Sequence, residues 1–214
     1  MPRSAASLVR PLDIEPPYLL VMPGMSERDF YRLADEDSDC EYLDGRIVMH
    51  SPASDRHEDV FRFLLTLLSD YLGERGGAVV RGSRYPMRLD EQWSPEPHLL
   101  IVRASRRHLM TKRHLRGPAD FVIEIVSESD PTLDYREKLP RYRAARIDEI
   151  WIVDPFRKRV RADVRAARSY TTKAVAAGRL QSAVIPGFWI DAGWLWRAEL
   201  PPTLRCLRAI LGKL

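Results

Sequence analysis

One carboxylate stands inside an apolar run. Glu124 is flanked by Phe121, Val122, Ile123, Ile125 and Val126. A charge within a buried strand is costly unless it is paired or bound to a metal. Two readings of Glu124 follow: a carboxylate paired with an arginine at the end of a sheet, or a metal ligand or general base. Other residues could complete the second reading. Glu41 begins a strand-like stretch. Lys138 falls three residues after Tyr135 and four before Tyr142, so it shares a helix face with those aromatics, and that face should look inward. A lysine there is either a snorkelling surface residue or a catalytic cation. Finally, Glu96-Pro97-His98 leads into Leu99-Leu100-Ile101-Val102. Strand side chains alternate, so Glu96 and His98 share a side if the strand starts that early. Two acids on adjacent strands beside a lysine suit metal-assisted phosphodiester hydrolysis. Carboxylates hold a hard divalent cation, the cation activates water, and a positive charge offsets the developing phosphorane.

The elements that must position these residues are legible from periodicity and turn chemistry. Residues 1–24, with Pro2, Pro11, Pro16, Pro17 and Pro23, read as an irregular arm. Ser26 is an N-cap candidate with Asp29 three residues on. Residues 40–51 read as a hairpin turning at Asp44-Gly45. Val60, Phe61, Leu64, Leu65, Leu68 and Leu72 mark a long amphipathic helix that Gly76-Gly77 stops. Strands are expected over 78–90 and 98–102. Residues 119–127 and 148–155 read as buried strands covered on both faces. Pro140 is tolerated in a first helical turn, which places a helix start near Tyr135 or Arg136. Residues 158–166 alternate as a half-exposed strand. Leu204, Leu207, Leu211 and Leu214 give the C-terminal segment an apolar helix face. The organisation expected is an arm over 1–24, one α/β domain over 25–200 and an amphipathic helix over 201–214.

Composition bounds the function classes. The chain has 214 residues, 45% hydrophobic, and 34 Lys+Arg against 30 Asp+Glu give a net charge of +4. That mild excess permits a nucleic-acid partner without requiring one. Cys40 and Cys206 are too few for a disulfide framework or a zinc site and read as reduced thiols of a cytoplasmic protein. No apolar run is long enough for a signal peptide or a membrane span. Between residues 103 and 117 lie Arg103, Arg106, Arg107, Lys112, Arg113 and Arg116, with no acid. This is either a solvated face or a phosphate-contacting segment. Trp189, Trp194 and Trp196 are candidates for core cover or, less simply, for base stacking.

Five stretches, CEYLDGRIVMHSPASDRHEDV, EPHLLIV, DFVIEIVSESD, REKLPRYRAARIDEIWIVDP and IPGFWIDAGWL, resemble in that order the blocks of the Uma-two family. That family consists of restriction endonuclease-like proteins, a branch of the PD-(D/E)XK nucleases. The resemblance runs from about Met25 to about Leu195. It implies an α/β fold with a central mixed sheet flanked by helices, a divalent metal (Mg²⁺ or Mn²⁺), DNA as partner and a homodimer. Carried over residue by residue, Glu41, Glu124 and Lys138 match the catalytic set. The lysine has moved from the strand, where Val126 now stands, to the following helix. His57 matches a histidine opening the long helix, and Asp154 a structural aspartate. The family reads E-P-D-L where this chain reads E-P-H-L. His98 therefore replaces the principal metal-binding aspartate, and Glu96 is the neighbouring carboxylate that could compensate. The metal set implied is His98, Glu124 and Glu96. Within the acid-free basic run, Arg103, Arg106, Arg107, Lys112 and Arg113 are the candidate nucleic-acid contacts on the ground of their charge. The expected function is a metal-dependent DNA endonuclease. The alternatives are a catalytically silent relative that binds nucleic acid and an interaction module.

Overall fold

The computed structural model describes residues 15–33, 39–82 and 84–213. In chain order the first elements are β1 (Leu19–Pro23), α1 (Glu27–Leu33), β2 (Cys40–Leu43), β3 (Arg46–His50), α2 (Asp55–Arg75), β4 (Ala78–Gly82), β5 (Met87–Arg88), β6 (Trp93–Ser94), β7 (Leu99–Arg103), β8 (Leu115–Arg116) and β9 (Phe121–Ile125). A π-helical turn (Asp134–Lys138) then leads into α3 (Leu139–Ala144). It is followed by β10 (Glu149–Asp154), β11 (Arg159–Arg165), β12 (Tyr170–Val175), β13 (Arg179–Gln181), β14 (Trp189–Asp191) and α4 (Thr203–Leu211).

The central sheet has six strands in the order β12-β11-β10-β9-β7-β4. Only β9 and β10 run parallel within it, so the sheet is mixed. Strand alternation divides its side chains between two cores. Leu99, Ile101, Phe121, Ile123, Ile125, Trp151 and Val153 face α2 and α4. Leu100, Val102, Val122, Val126, Ile150 and Ile152 face α3, whose Leu139 and Tyr142 close over them. Glu124 lies on that second face, in step with Val122 and Val126. A second sheet, β1-β3-β2-β6, stands beside the first. It contains the expected hairpin, turned by Asp44 (φ 53°) and Gly45 (φ 73°), the left-handed pair that a tight two-residue turn needs.

Four expectations need correction. Residues 19–23 are not irregular: β1 pairs antiparallel with β3 from Leu19↔His50 to Pro23↔Arg46. Its proline sits at the strand's end, where a missing N–H costs no ladder bond. Residues 1–14 of the expected arm lie outside the described residues. The helix expected near Tyr135 starts slightly earlier, as the π turn, in which the Leu139 N–H donates to the Asp134 carbonyl. Widening the turn just before Pro140 relieves the clash that its ring would make with the preceding turn. The strand of the EPHLLIV stretch begins at Leu99, so Glu96 and His98 lie in the connection before β7 and not on the strand. Lastly, α4 is no separate appendage. Cys206, Leu207 and Ile210 are buried in the core under α2, whereas Leu204 is 57% exposed. Leu214 lies outside the described residues. Of the apolar face expected on this helix, Leu207 is thus turned into the protein's own interior, Leu211 is half-buried and Leu204 is exposed.

Cys40 and Cys206 are buried in separate hydrophobic clusters. Among the described residues no helix is long and apolar enough to cross a membrane. The tryptophans are cover over the core. Trp189 and Trp194 pack with ring centroids 5.4 Å apart, Arg179 lies 4.6 Å over Trp189, and the Trp196 indole N–H donates to the Ala176 carbonyl at 2.7 Å.

Candidate active site

Glu124 is brought by the central strand β9, Glu41 by the hairpin strand β2, and Lys138 by the end of the π turn. They converge although each comes from a different element. Lys138 Nζ lies 2.7 Å from Glu41 Oε1, 3.4 Å from Glu124 Oε1 and 3.5 Å from Asp134 Oδ1. Lys138 is 1% exposed, Glu41 2% and Glu124 0%. These are buried ions, and what keeps each charged is its neighbours. Burial pushes the Glu124 carboxyl up. The Lys138 ammonium, the His98 hydrogen bond and charge, and the Tyr142 hydroxyl outweigh it and bring the pKa down to about 2. Burial opposes the ionised form of Glu41 as well, yet Lys138 and His50 hold it below its usual range. For Lys138, burial favours the neutral amine, but Glu124, Glu41 and Asp134 hold it well above the ordinary lysine value.

His98 completes the centre from the connection before β7. Its Nδ1–H donates to Glu124 Oε2 at 2.6 Å, and its backbone N–H reaches the same oxygen at 3.2 Å. Its Nε2 lies 2.8 Å from Nε2 of His57, in the first turn of α2. That turn is fixed by Ser54 as N-cap, which accepts from the His57 N–H at 3.4 Å. Burial lowers the His98 pKa, but the Glu124 hydrogen bond and charge raise it above the usual value. Burial and the charge on His98 push His57 down to about 3. The chain Glu124–His98–His57 therefore runs from a carboxylate through a histidine raised above its usual range to a histidine held well below it.

Glu96 sits beside this centre and is 8% exposed. Its backbone N–H donates to Glu41 Oε2 at 3.1 Å. Burial, and then the charges of Glu41 and Asp39, push its carboxyl up to about 9, so it is protonated at neutral pH. Glu41, His50, His57, Glu96, His98 and Lys138 all line one cavity of about 300 Å³. All of the expected catalytic and metal-set residues thus come to one place or border it.

Three participants went unassigned in the sequence. Tyr142 donates its hydroxyl to Glu124 Oε1 at 2.6 Å. His50 lies 2.9 Å from Glu41 Oε1. Asp134 is buried four residues before Lys138, and burial, partly offset by Lys138, pushes it up to about 6. The i,i+4 spacing of Asp134 and Lys138 was the readable signal for one of them.

The basic segment divides. Arg103 is ion-paired with Asp120 at 2.5 Å and with Asp148 at 2.6 Å, and Arg106 pairs with Asp120 at 3.0 Å. The missing acids of that run are supplied by other parts of the chain. Arg107, Lys112 and Arg113 remain exposed. Lys112, Arg113 and Arg116 border a shallow depression with Tyr31 and His114. Asp154 is structural, as expected: it accepts from the Arg157 N–H at 2.9 Å in the turn after β10.

The divalent cation implied by the resemblance finds few free donors. The oxygens of Glu41 and Glu124 face protein donors, both ring nitrogens of His98 are engaged, and Glu96 carries a proton. Among the described residues, no three His, Cys, Asp or Glu side chains are disposed to hold one metal ion. The residues present do not fit such an ion.

Comparison with known proteins places this geometry in context. The model of the Uma2 family, described as "Putative restriction endonuclease", matches residues 28–193. No curated protein matches the chain. A solved structure of a "putative nuclease belonging to DUF820" from Anabaena variabilis is similar at a TM-score of 0.69 and 13% identity, covering 80% of this chain and 97% of that one. The fold is restriction endonuclease-like.

Proposed function

Since this chain belongs to the Uma2 family of restriction endonuclease-like proteins, we propose that it is a nuclease whose cleft acts on the phosphodiester bonds of DNA. One observation carries this reading. Lys138 lies within ion-pair distance of both Glu41 and Glu124, which come from different elements, and Glu41 and Lys138 line one cavity. Glu41, which lines the cavity, stays ionised and can orient an attacking water, while Glu124 helps hold Lys138 in place. The Lys138 ammonium offsets charge developing on the phosphorane oxygens. Glu96, protonated at neutral pH, can donate to the leaving oxygen. Arg107, Lys112 and Arg113 are the exposed cations available to backbone phosphates.

A second reading is favoured by a specific observation: the acceptor oxygens of both carboxylates already have protein partners. It is a nuclease-fold protein that binds nucleic acid, or a protein partner, without cleaving. Nicking of supercoiled plasmid by wild type, Glu124→Gln and Lys138→Met, each with Mg²⁺, with Mn²⁺ and with EDTA, separates the two. The nuclease reading expects cleavage by wild type that both variants lose. No cleavage under any condition, with DNA binding retained, leaves the second reading.

A further inference from the structure

We propose that the active centre of this chain holds no divalent metal ion, because Lys138 already sits between its two carboxylates and His98 donates to Glu124 where the family has an aspartate. The functional meaning rests on the nuclease reading, but the claim about the metal stands on donor atoms alone. A metal ligand must present a free lone pair toward a shared point. Glu124 Oε1 accepts from the Tyr142 hydroxyl at 2.6 Å and faces Lys138 Nζ at 3.4 Å. Glu124 Oε2 accepts from His98 Nδ1 at 2.6 Å and from the His98 backbone N–H at 3.2 Å. Glu41 Oε1 faces Lys138 at 2.7 Å and His50 at 2.9 Å, and its Oε2 accepts from the Glu96 N–H at 3.1 Å. A cation bridging Glu41 and Glu124 would have to displace the ammonium already between them.

His98 is no substitute ligand for the family's aspartate. Its Nδ1 is spent on Glu124 and its Nε2 on His57. Where an aspartate would add a negative charge that a cation must neutralise, the histidine donates to Glu124 instead. Among the described residues, the cavity-lining buried side-chain atoms without a hydrogen-bond partner are Glu96 Oε2 and His57 Nδ1, and the latter lies 3.7 Å from Glu58 Oε1.

The test is direct titration of the wild-type protein with Mn²⁺, followed by the EPR signal of free Mn²⁺, and with Mg²⁺, followed by calorimetry. Plasmid nicking in EDTA runs alongside. The expected result is no saturable site at the centre: any binding seen survives Glu124→Gln and is therefore elsewhere. Saturable binding that Glu124→Gln abolishes overturns the inference and leaves the nuclease reading standing. Cleavage that persists in EDTA supports both. No metal binding together with no cleavage supports the inference and overturns the nuclease reading. A His98→Asp variant removes the Nδ1 donor from Glu124 Oε2, leaving only the backbone N–H there, and adds a carboxylate, so it should gain Mn²⁺ binding by at least tenfold over wild type. A folded His98→Asp protein with no gain overturns the assignment of His98 as the excluding residue. If that variant does not fold, the wild-type titration decides the matter by itself.

Discussion

Replacing Lys138 by methionine keeps the side chain's length and removes its charge. In the native protein the ammonium is 1% exposed and serves Glu41, Glu124 and Asp134. The variant would leave Glu41 and Glu124 buried, ionised and close to one another. Breaking a buried pair by deleting one partner costs about 3–5 kcal/mol, against roughly 0–1 kcal/mol for an exposed pair. For a chain of this size each kcal/mol moves the melting temperature by about 2–4 °C. The expected drop at pH 7 is thus roughly 6–20 °C. The pH dependence sharpens the test. In wild type the Glu124 pKa is depressed to about 2, so its contribution is full above the unfolded value of about 4.5 and is lost only as pH falls toward 2. Without Lys138 these carboxyls lose the largest influence that lowers them, and their pKa values rise. The penalty is then full above the raised pKa and fades as pH falls through it and the groups take up protons. The gap between variant and wild type should therefore narrow between pH 7 and pH 4. Urea unfolding followed by tryptophan fluorescence at both pH values measures it. A difference under about 1 kcal/mol at pH 7, or one that does not change with pH, would refute the claim that Lys138 neutralises buried carboxylates. Lys138→Met combined with Glu41→Gln and Glu124→Gln should recover part of the destabilisation, because those two carboxylates no longer stand uncompensated, whereas Asp134 still lacks its partner.

Three other outcomes follow from the same geometry. Changing Arg107, Lys112 and Arg113 together to alanine should flatten the slope of log K against log salt for DNA binding by up to about 2.7, at about 0.9 for each phosphate no longer neutralised; an unchanged slope returns these residues to a plain solvated face. Arg103→Ala should act on stability instead, since it strips a partner from Asp120, which is 2% exposed, and a chemical denaturation midpoint equal to wild type would contradict that. Glu149 is 0% exposed and accepts from the Trp151 indole, the Ser182 hydroxyl and the backbone N–H groups of Ala183 and Val184. Glu149→Ala should cost about 1–3 kcal/mol per donor left buried without a partner, and amide exchange should accelerate first at Ala183 and Val184.

The sequence carried the centre further than it carried the details. Glu124 was legible because an ionised residue in an apolar strand demands an explanation, and Lys138 because its spacing to Tyr142 put it on an inward face. The Asp44-Gly45 turn was legible because its backbone conformation excludes most residue types. What could not be read is what long-range packing decides. β1 is a strand because β3 offers it an edge, not because Leu19–Pro23 prefers to be one. Leu204 and Leu207 are both apolar, and only the position of α2 determines that Leu207 is buried while Leu204 is exposed. The basic run between residues 103 and 117 looked unopposed because its counter-ions, Asp120 and Asp148, come from outside the run. His98 was visible as an odd residue, but its bond to His57 spans 41 positions and leaves no local trace.

The π turn over Asp134–Lys138 bears on how lineages of this protein can drift. It holds one residue more than a regular helical turn would. Deleting a residue there would regularise the helix, which on local propensity alone looks harmless. Yet each residue advances a helix by about 100°, so the deletion would swing either Asp134 or Lys138 away from the face that Tyr142 shares with Glu124. Insertions and deletions between Leu133 and Leu139 should therefore be purged while substitutions at the exposed Arg136 persist. The irregular turn acts as a reading frame for the lysine.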